Sequence, residues 1–70
     1  MITNRFDLWD EEIFLGDKVR LPSMPSIYTV KYGNFEYYGT QRIGIYLESE
    51  LTNQDIIPLA QAKTLIKIKE

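Results

Sequence analysis

The chain has 70 residues and a net charge of −2, from ten acidic and eight basic side chains, with no His and no Cys. The lack of Cys excludes disulfides and thiolate chemistry, and the lack of His removes the commonest metal ligand and the commonest general base near neutral pH. An apolar fraction of 44% excludes a disordered chain and predicts one small folded domain over residues 1–70.

The first regular element is predicted after an irregular lead-in over residues 1–11. A Gly-Asp turn at residues 16–17 precedes an alternating segment, in which Val19 and Leu21 lie on one face and Lys18 and Arg20 on the other. This alternation predicts a strand over residues 17–22. Two prolines within residues 22–25 predict a loop, because proline cannot donate to a ladder.

A hairpin is predicted over residues 27–38. Two apolar and aromatic segments, residues 27–32 and 35–38, flank Gly33-Asn34, which is a spacer typical of two-residue hairpin turns. A turn at that position places Lys31 opposite Glu36 as a cross-strand pair of opposite charges.

The rest of the chain is predicted to add three more strands. A second turn at residues 39–41 leads to a strand over 42–48, with Ile43, Ile45 and Leu47 on the core face. A polar loop over 49–55, a short strand ended by Pro58, a 3₁₀ or helical turn over 59–62 and a final strand over 64–69 complete the order. The predicted fold is all-β, a small SH3-like barrel of five or six short antiparallel strands with a 3₁₀ or helical turn before the last strand.

Two segments resemble YopX-like proteins, which are small phage and prophage proteins with an SH3-like barrel. Residues 10–19, DEEIFLGDKV, resemble their entry motif D-x-x-x-I-Y-x-G-D-x-V with a spacer one residue shorter. Residues 42–48, RIGIYLE, are similar to their x-I-G-N-I-Y-E-N strand without the Asn, and residues 28–35 fall where that family has an aromatic hairpin. The resemblance covers residues 10–48 and implies a fold and a phage or prophage source; it implies no reaction.

The composition predicts no catalytic site, no metal site and no cofactor. The consecutive acids Asp10, Glu11 and Glu12 are typical of a solvated loop, and no serine has a histidine to activate it. A hard-cation site from Asp10, Glu12 and Asp17 lacks the usual loop spacing and glycine.

The aromatic residues are the candidate binding site. Trp9, Tyr28, Tyr38 and Tyr46 are predicted to form a partly exposed patch with Arg42 beside them, since aromatic residues dominate the energetics of protein interfaces. The alternative is that these rings cap the core while their hydroxyl groups reach water.

The predicted function is a non-enzymatic protein–protein interaction module of a phage or prophage, which acts on a host or phage macromolecule in the bacterial cytoplasm. The alternative partner is nucleic acid, contacted by Lys18, Arg20, Arg42, Lys67 and Lys69. A third alternative is a homo-oligomer formed through the edge strand at residues 64–69 or 18–21. The sequence has no long apolar segment, so no membrane span is predicted.

Overall fold

The computed structural model describes residues 2–22, 26–51 and 55–68. Within those residues the regular structure consists of strands and a single 3₁₀ turn, which confirms the all-β prediction and the 3₁₀ turn predicted before the last strand. The elements in chain order are β1 Ile2–Phe6, β2 Glu12–Phe14, β3 Lys18–Arg20, β4 Ile27–Tyr37, β5 Thr40–Ser49, β6 Ile56–Pro58, the 3₁₀ turn Leu59–Gln61 and β7 Ile66–Lys67.

The strands form two antiparallel sheets. β1 and β2 pair with each other, and the other five strands are ordered β6-β5-β4-β3-β7. The edge strands β6 and β7 do not pair with each other in the described part of the chain, so the five-stranded sheet is open there.

One hydrophobic core joins the two sheets and the 3₁₀ turn. Its buried members come from β2, β3, β4, β5 and the segment that leads to β7: Ile13, Val19, Tyr28, Val30, Leu47, Leu59, Ala62 and Leu65. The β1–β2 sheet is therefore tied by Ile13 to the core of the larger sheet.

The irregular lead-in predicted for residues 1–11 is wrong for its first half, because Ile2–Phe6 is strand β1. The pairing of β1 with β2 is irregular between Ile2 and Arg5, and Asn4 has φ +60°. Such an irregularity interrupts the alternation of apolar residues on which recognition of a strand depends. The Arg5 guanidinium donates to the carbonyl oxygens of Leu59 at 2.9 Å and Ala62 at 2.5 Å, so β1 also anchors the 3₁₀ turn.

Asp7 organises the loop between β1 and β2. Its side chain is buried, and Oδ1 accepts hydrogen bonds from the backbone N–H groups of Trp9 at 2.9 Å and Glu11 at 2.8 Å. Its other oxygen, Oδ2, accepts the N–H of Lys67 in β7 at 3.1 Å, and the N–H of Leu8 donates to the carbonyl of Leu65 at 2.8 Å. One carboxylate therefore holds the loop and connects it to an edge of the five-stranded sheet.

The hairpin turn predicted at Gly33-Asn34 is wrong: the chain turns at Tyr38-Gly39 instead. Both turn residues have positive φ, +52° and +76°, as a two-residue hairpin turn with the twist of the strands requires. This turn places Val30 opposite Leu47, and both side chains are buried in the core. A turn at residues 33–34 would have paired Val30 with Tyr37 and lost that contact.

The predicted pairing of Lys31 with Glu36 fails for the same reason. Lys31 lies opposite Tyr46 and forms its ion pair with Glu48 on the neighbouring strand.

The long β4–β5 hairpin bends where Gly33 faces Gly44. Both glycines have φ near +150°, a backbone conformation that other residues rarely adopt. Before the bend the even-numbered positions Tyr28 and Val30 are buried, whereas beyond it Phe35 is buried and its even-numbered neighbours are exposed. β4 also contacts β6 directly although β5 separates them in the sheet, so the distal half of the hairpin folds back over the sheet.

The bend also corrects the predicted core face of β5. Leu47 is buried and Ile45 packs against the core, but Ile43 lies beyond Gly44 and is 75% exposed. The final strand is shorter than predicted and covers only Ile66–Lys67. The predicted loops are described only in part, because residues 23–25 and 52–54 lie outside the described residues, and Ser49 belongs to β5.

Candidate functional site

The five predicted site residues do not form one patch. Tyr28 is fully buried, so its ring offers no surface to a partner, and its hydroxyl donates to Asp55 Oδ2 at 2.9 Å. This prediction was wrong because Tyr28 precedes the bend and points into the core. Burial, together with the hydrogen bond to Asp55, raises the pKa of Tyr28 to about 12.

Tyr38 and Arg42 do lie together, at the tip of the bent hairpin. Tyr38 is 90% exposed, and its ring meets the ring of Tyr37 edge-on with centroids 4.5 Å apart. The Arg42 guanidinium lies over the Tyr37 ring, with its central carbon 5.6 Å from the ring centre. We call Tyr37, Tyr38 and Arg42 the hairpin-tip cluster.

Tyr46 stabilises the bent hairpin that carries the hairpin-tip cluster. It is half-buried, and its ring packs on Phe35 with centroids 4.9 Å apart. The two residues lie on either side of the Gly33–Gly44 pair in the ladder, so their contact covers the bend. Tyr46 therefore holds the hairpin in its folded-back position.

Trp9 belongs to a second exposed surface, on the loop after β1. It is 64% exposed beside Phe6 and Leu8, which are 54% and 58% exposed. In the described residues no ring contact connects Trp9 with Tyr38 or Tyr46. The predicted patch is thus divided into a hairpin-tip cluster and an N-terminal apolar surface.

Two grooves occupy the space between these surfaces. The larger, with a volume of about 520 Å³, is open to solvent, and its lining is mostly apolar: Leu21, Pro22, Tyr37, Ile57, Gln61, Ala62, Lys63 and Thr64. The smaller, about 240 Å³, is lined by Phe6, Asp7, Leu8, Lys63, Thr64 and Leu65. Lys63 and Thr64 line both, so these two residues form the ridge between the grooves.

Two of the five basic side chains proposed as phosphate contacts, and Lys31 besides, have acidic partners among the described residues. Lys18 pairs with Glu50, and Lys67 pairs with Asp17 at 3.1 Å. Lys31 pairs with Glu48, whose hydrogen bond and charge raise the pKa of Lys31. Lys69 lies outside the described residues. Arg42 and Lys63 are exposed and form no ion pair with any described residue.

Tyr37 and Lys63 were not predicted as site residues. The predicted turn lies five residues before the observed one, so nothing marked Tyr37 as part of the hairpin tip, and Lys63 carries no local pattern that distinguishes it from other surface lysines. Only the return of the hairpin over the sheet brings them to the same groove. No group of three or more acidic side chains suited to a metal ion occurs among residues 2–22, 26–51 and 55–68.

No protein-family model matches the chain, and neither the curated proteins nor the solved structures contain a significant match. Within the described residues no helix is long and apolar enough to cross a membrane.

Proposed function

We propose that this protein is a non-enzymatic binding module that docks on another protein through the hairpin-tip cluster. The observation that carries the proposal is the exposure of Tyr38, which holds a large ring in solvent at a turn position whose positive φ would suit Asn or Gly better. Tyrosine and arginine are enriched among the residues that dominate binding energy at protein interfaces.

The surroundings of Tyr38 favour binding because they are ordered in advance. The Tyr37 ring meets the Tyr38 ring edge-on, the Arg42 guanidinium lies over the Tyr37 ring, and the Phe35–Tyr46 contact holds the bent hairpin that carries all three. A surface that is already rigid loses less conformational entropy when a partner binds. The bend at Gly33 and Gly44 therefore serves to present the cluster.

The proposal includes the fold family and the source suggested by residues 10–48. A strongly bent hairpin that packs back over its own sheet is compatible with a small SH3-like barrel, and we assign the module to the phage and prophage type, acting in the cytoplasm of a bacterial host. The ion pairs of Lys18, Lys31 and Lys67 favour a protein partner over nucleic acid, because these cations are already neutralised.

A paired capture experiment tests the site. Tyr38→Ser and Leu51→Ser each remove one exposed apolar side chain, at 90% and 82% exposure, from well-separated loops. The proposal expects a host protein that binds the wild-type and the Leu51 variant but is lost with the Tyr38 variant, while circular dichroism shows both variants folded. Equal capture by both variants would refute it, as would retention on heparin that falls steeply with salt and accounts for all binding.

A further inference from the structure

We infer that the two grooves form one continuous track for an extended peptide segment that carries an acidic residue between two apolar residues. This inference rests on the proposed function, since it names the chemistry of the partner that the module would hold. It assigns the binding to residues beside the hairpin-tip cluster rather than to the cluster alone.

The two ends of the track are apolar. At one end the larger groove presents Leu21, Ile57 and the ring of Tyr37. At the other end the smaller groove presents Phe6 and Leu8, each more than half exposed. Each end could thus bury an apolar side chain of the bound peptide.

The middle of the track is cationic. The Lys63 side chain is exposed on the ridge and forms no ion pair with the described residues, and Arg42 adds a second positive charge over the Tyr37 ring, at one end of the track. Among the residues that the structure describes, the only acidic one that lines either groove is Asp7, whose carboxylate is buried and accepts three backbone N–H groups. A chain with a net charge of −2 therefore presents a locally positive track, which fits an acidic partner.

The ridge also offers backbone groups to an extended occupant. Thr64 lies between the 3₁₀ turn and β7, and neither its N–H nor its C=O is hydrogen-bonded to another backbone group in the described residues. The Lys63 carbonyl accepts a long hydrogen bond of 3.4 Å from the Arg5 guanidinium. An extended peptide presents alternate side chains on one face, so the pattern apolar-x-acidic-x-apolar would place all three on the track.

The test uses three synthetic probes and two charge-reversed variants. The acidic probe is acetyl-Gly-Leu-Ser-Glu-Ser-Leu-Gly-amide, the basic probe has Lys in place of Glu, and the polar probe has Ser in place of both Leu. Amide chemical shifts of the labelled protein are followed during titration. Lys63→Glu is compared with Lys31→Glu, which changes the net charge equally but lies off the track.

The inference expects saturable shifts at residues 61–65 with the acidic probe, and much weaker binding of the polar probe. Lys63→Glu should weaken the acidic probe by about threefold to tenfold and strengthen the basic probe, whereas Lys31→Glu should change neither by more than about twofold. Absence of shifts at residues 61–65, equal binding of the polar probe, or equal effects of the two variants would overturn it. In those cases loss of the partner protein with Tyr38→Ser would still uphold the proposed function, so the two failures are distinguishable.

Discussion

Replacing Asp7 should separate the two roles of its carboxylate. In Asp7→Asn the amide oxygen can keep the bonds from Trp9 and Glu11, both made to Oδ1, but the amide nitrogen would then face the Lys67 N–H that Oδ2 now accepts. Hydrogen bonds to a charged group contribute about 1.5–3 kcal/mol each, so we expect Asp7→Asn to cost about that amount. Asp7→Ala loses all three bonds and should cost more than Asp7→Asn.

This cost of the Asp7 substitutions matters because the free energy of unfolding of so short a chain is small. At about 0.05–0.15 kcal/mol per residue, a chain of 70 residues has a free energy of unfolding of about 4–10 kcal/mol. The alanine variant therefore approaches the whole stability of the fold, and the asparagine variant is the more informative one.

Urea denaturation of the wild-type and each variant would measure the cost, and hydrogen exchange at the Lys67 amide would locate it. Asp10→Asn is the matched control, because Asp10 is exposed and Asn tolerates its positive φ of +61°. The control should lie within about 0.5 kcal/mol of the wild-type. If Asp7→Asn proves as stable as the control, or leaves the exchange of the Lys67 amide unchanged, the assignment of Asp7 as the link between the sheets is refuted.

Two further predictions concern the bend and the core. Gly44→Ala should destabilise the fold by about 1–3 kcal/mol through backbone strain alone, because a Cβ at Gly44 would meet no atom within 4 Å. D-alanine at position 44, introduced by chemical synthesis, should be tolerated, and equal denaturation midpoints for the two alanines would contradict this explanation. Tyr28 is neutral in the fold with a pKa of about 12, above its ordinary value of 10, so its stabilisation is complete below pH 10 and is lost as the pH rises towards about 12. The difference in unfolding free energy between wild-type and Tyr28→Phe should therefore fall by about 2 kcal/mol between pH 10 and pH 12, and a difference independent of pH would show that the phenol is not held neutral.

Sequence reasoning located most of the strands because their side chains alternate. The segments around Val19, Val30 and Leu47 each alternate with a period of two, each was predicted as a strand, and Leu47 was also assigned correctly to the core face. The 3₁₀ turn was accessible for a similarly local reason, since Pro58 precedes it and limits the strand.

Local sequence patterns did not predict the position of the hairpin turn or the site. Gly33-Asn34 has the composition of a turn, yet the pairing of Val30 with Leu47 in the core outweighs that local preference and leaves the turn to Tyr38-Gly39. Because the inward face changes at the Gly33–Gly44 pair, the core-face assignment of Ile43, which lies on the tip side of that pair, was wrong, whereas those of Ile45 and Leu47 were correct. The grooves bring together residues that are far apart in the sequence, such as Tyr37 and Lys63 or Phe6 and Leu65, which no local pattern encodes.

The direct pairing of Gly33 with Gly44 determines how the length of the hairpin can vary. An insertion in one strand beyond the glycines would slip the ladder, whereas one residue added to each strand would keep the ladder and turn Tyr38 to the opposite side. Only two added residues in each strand preserve the direction of the tip, and they extend its reach by about 7 Å. Natural or engineered length variants that still bind the same partner should therefore differ by four residues in total.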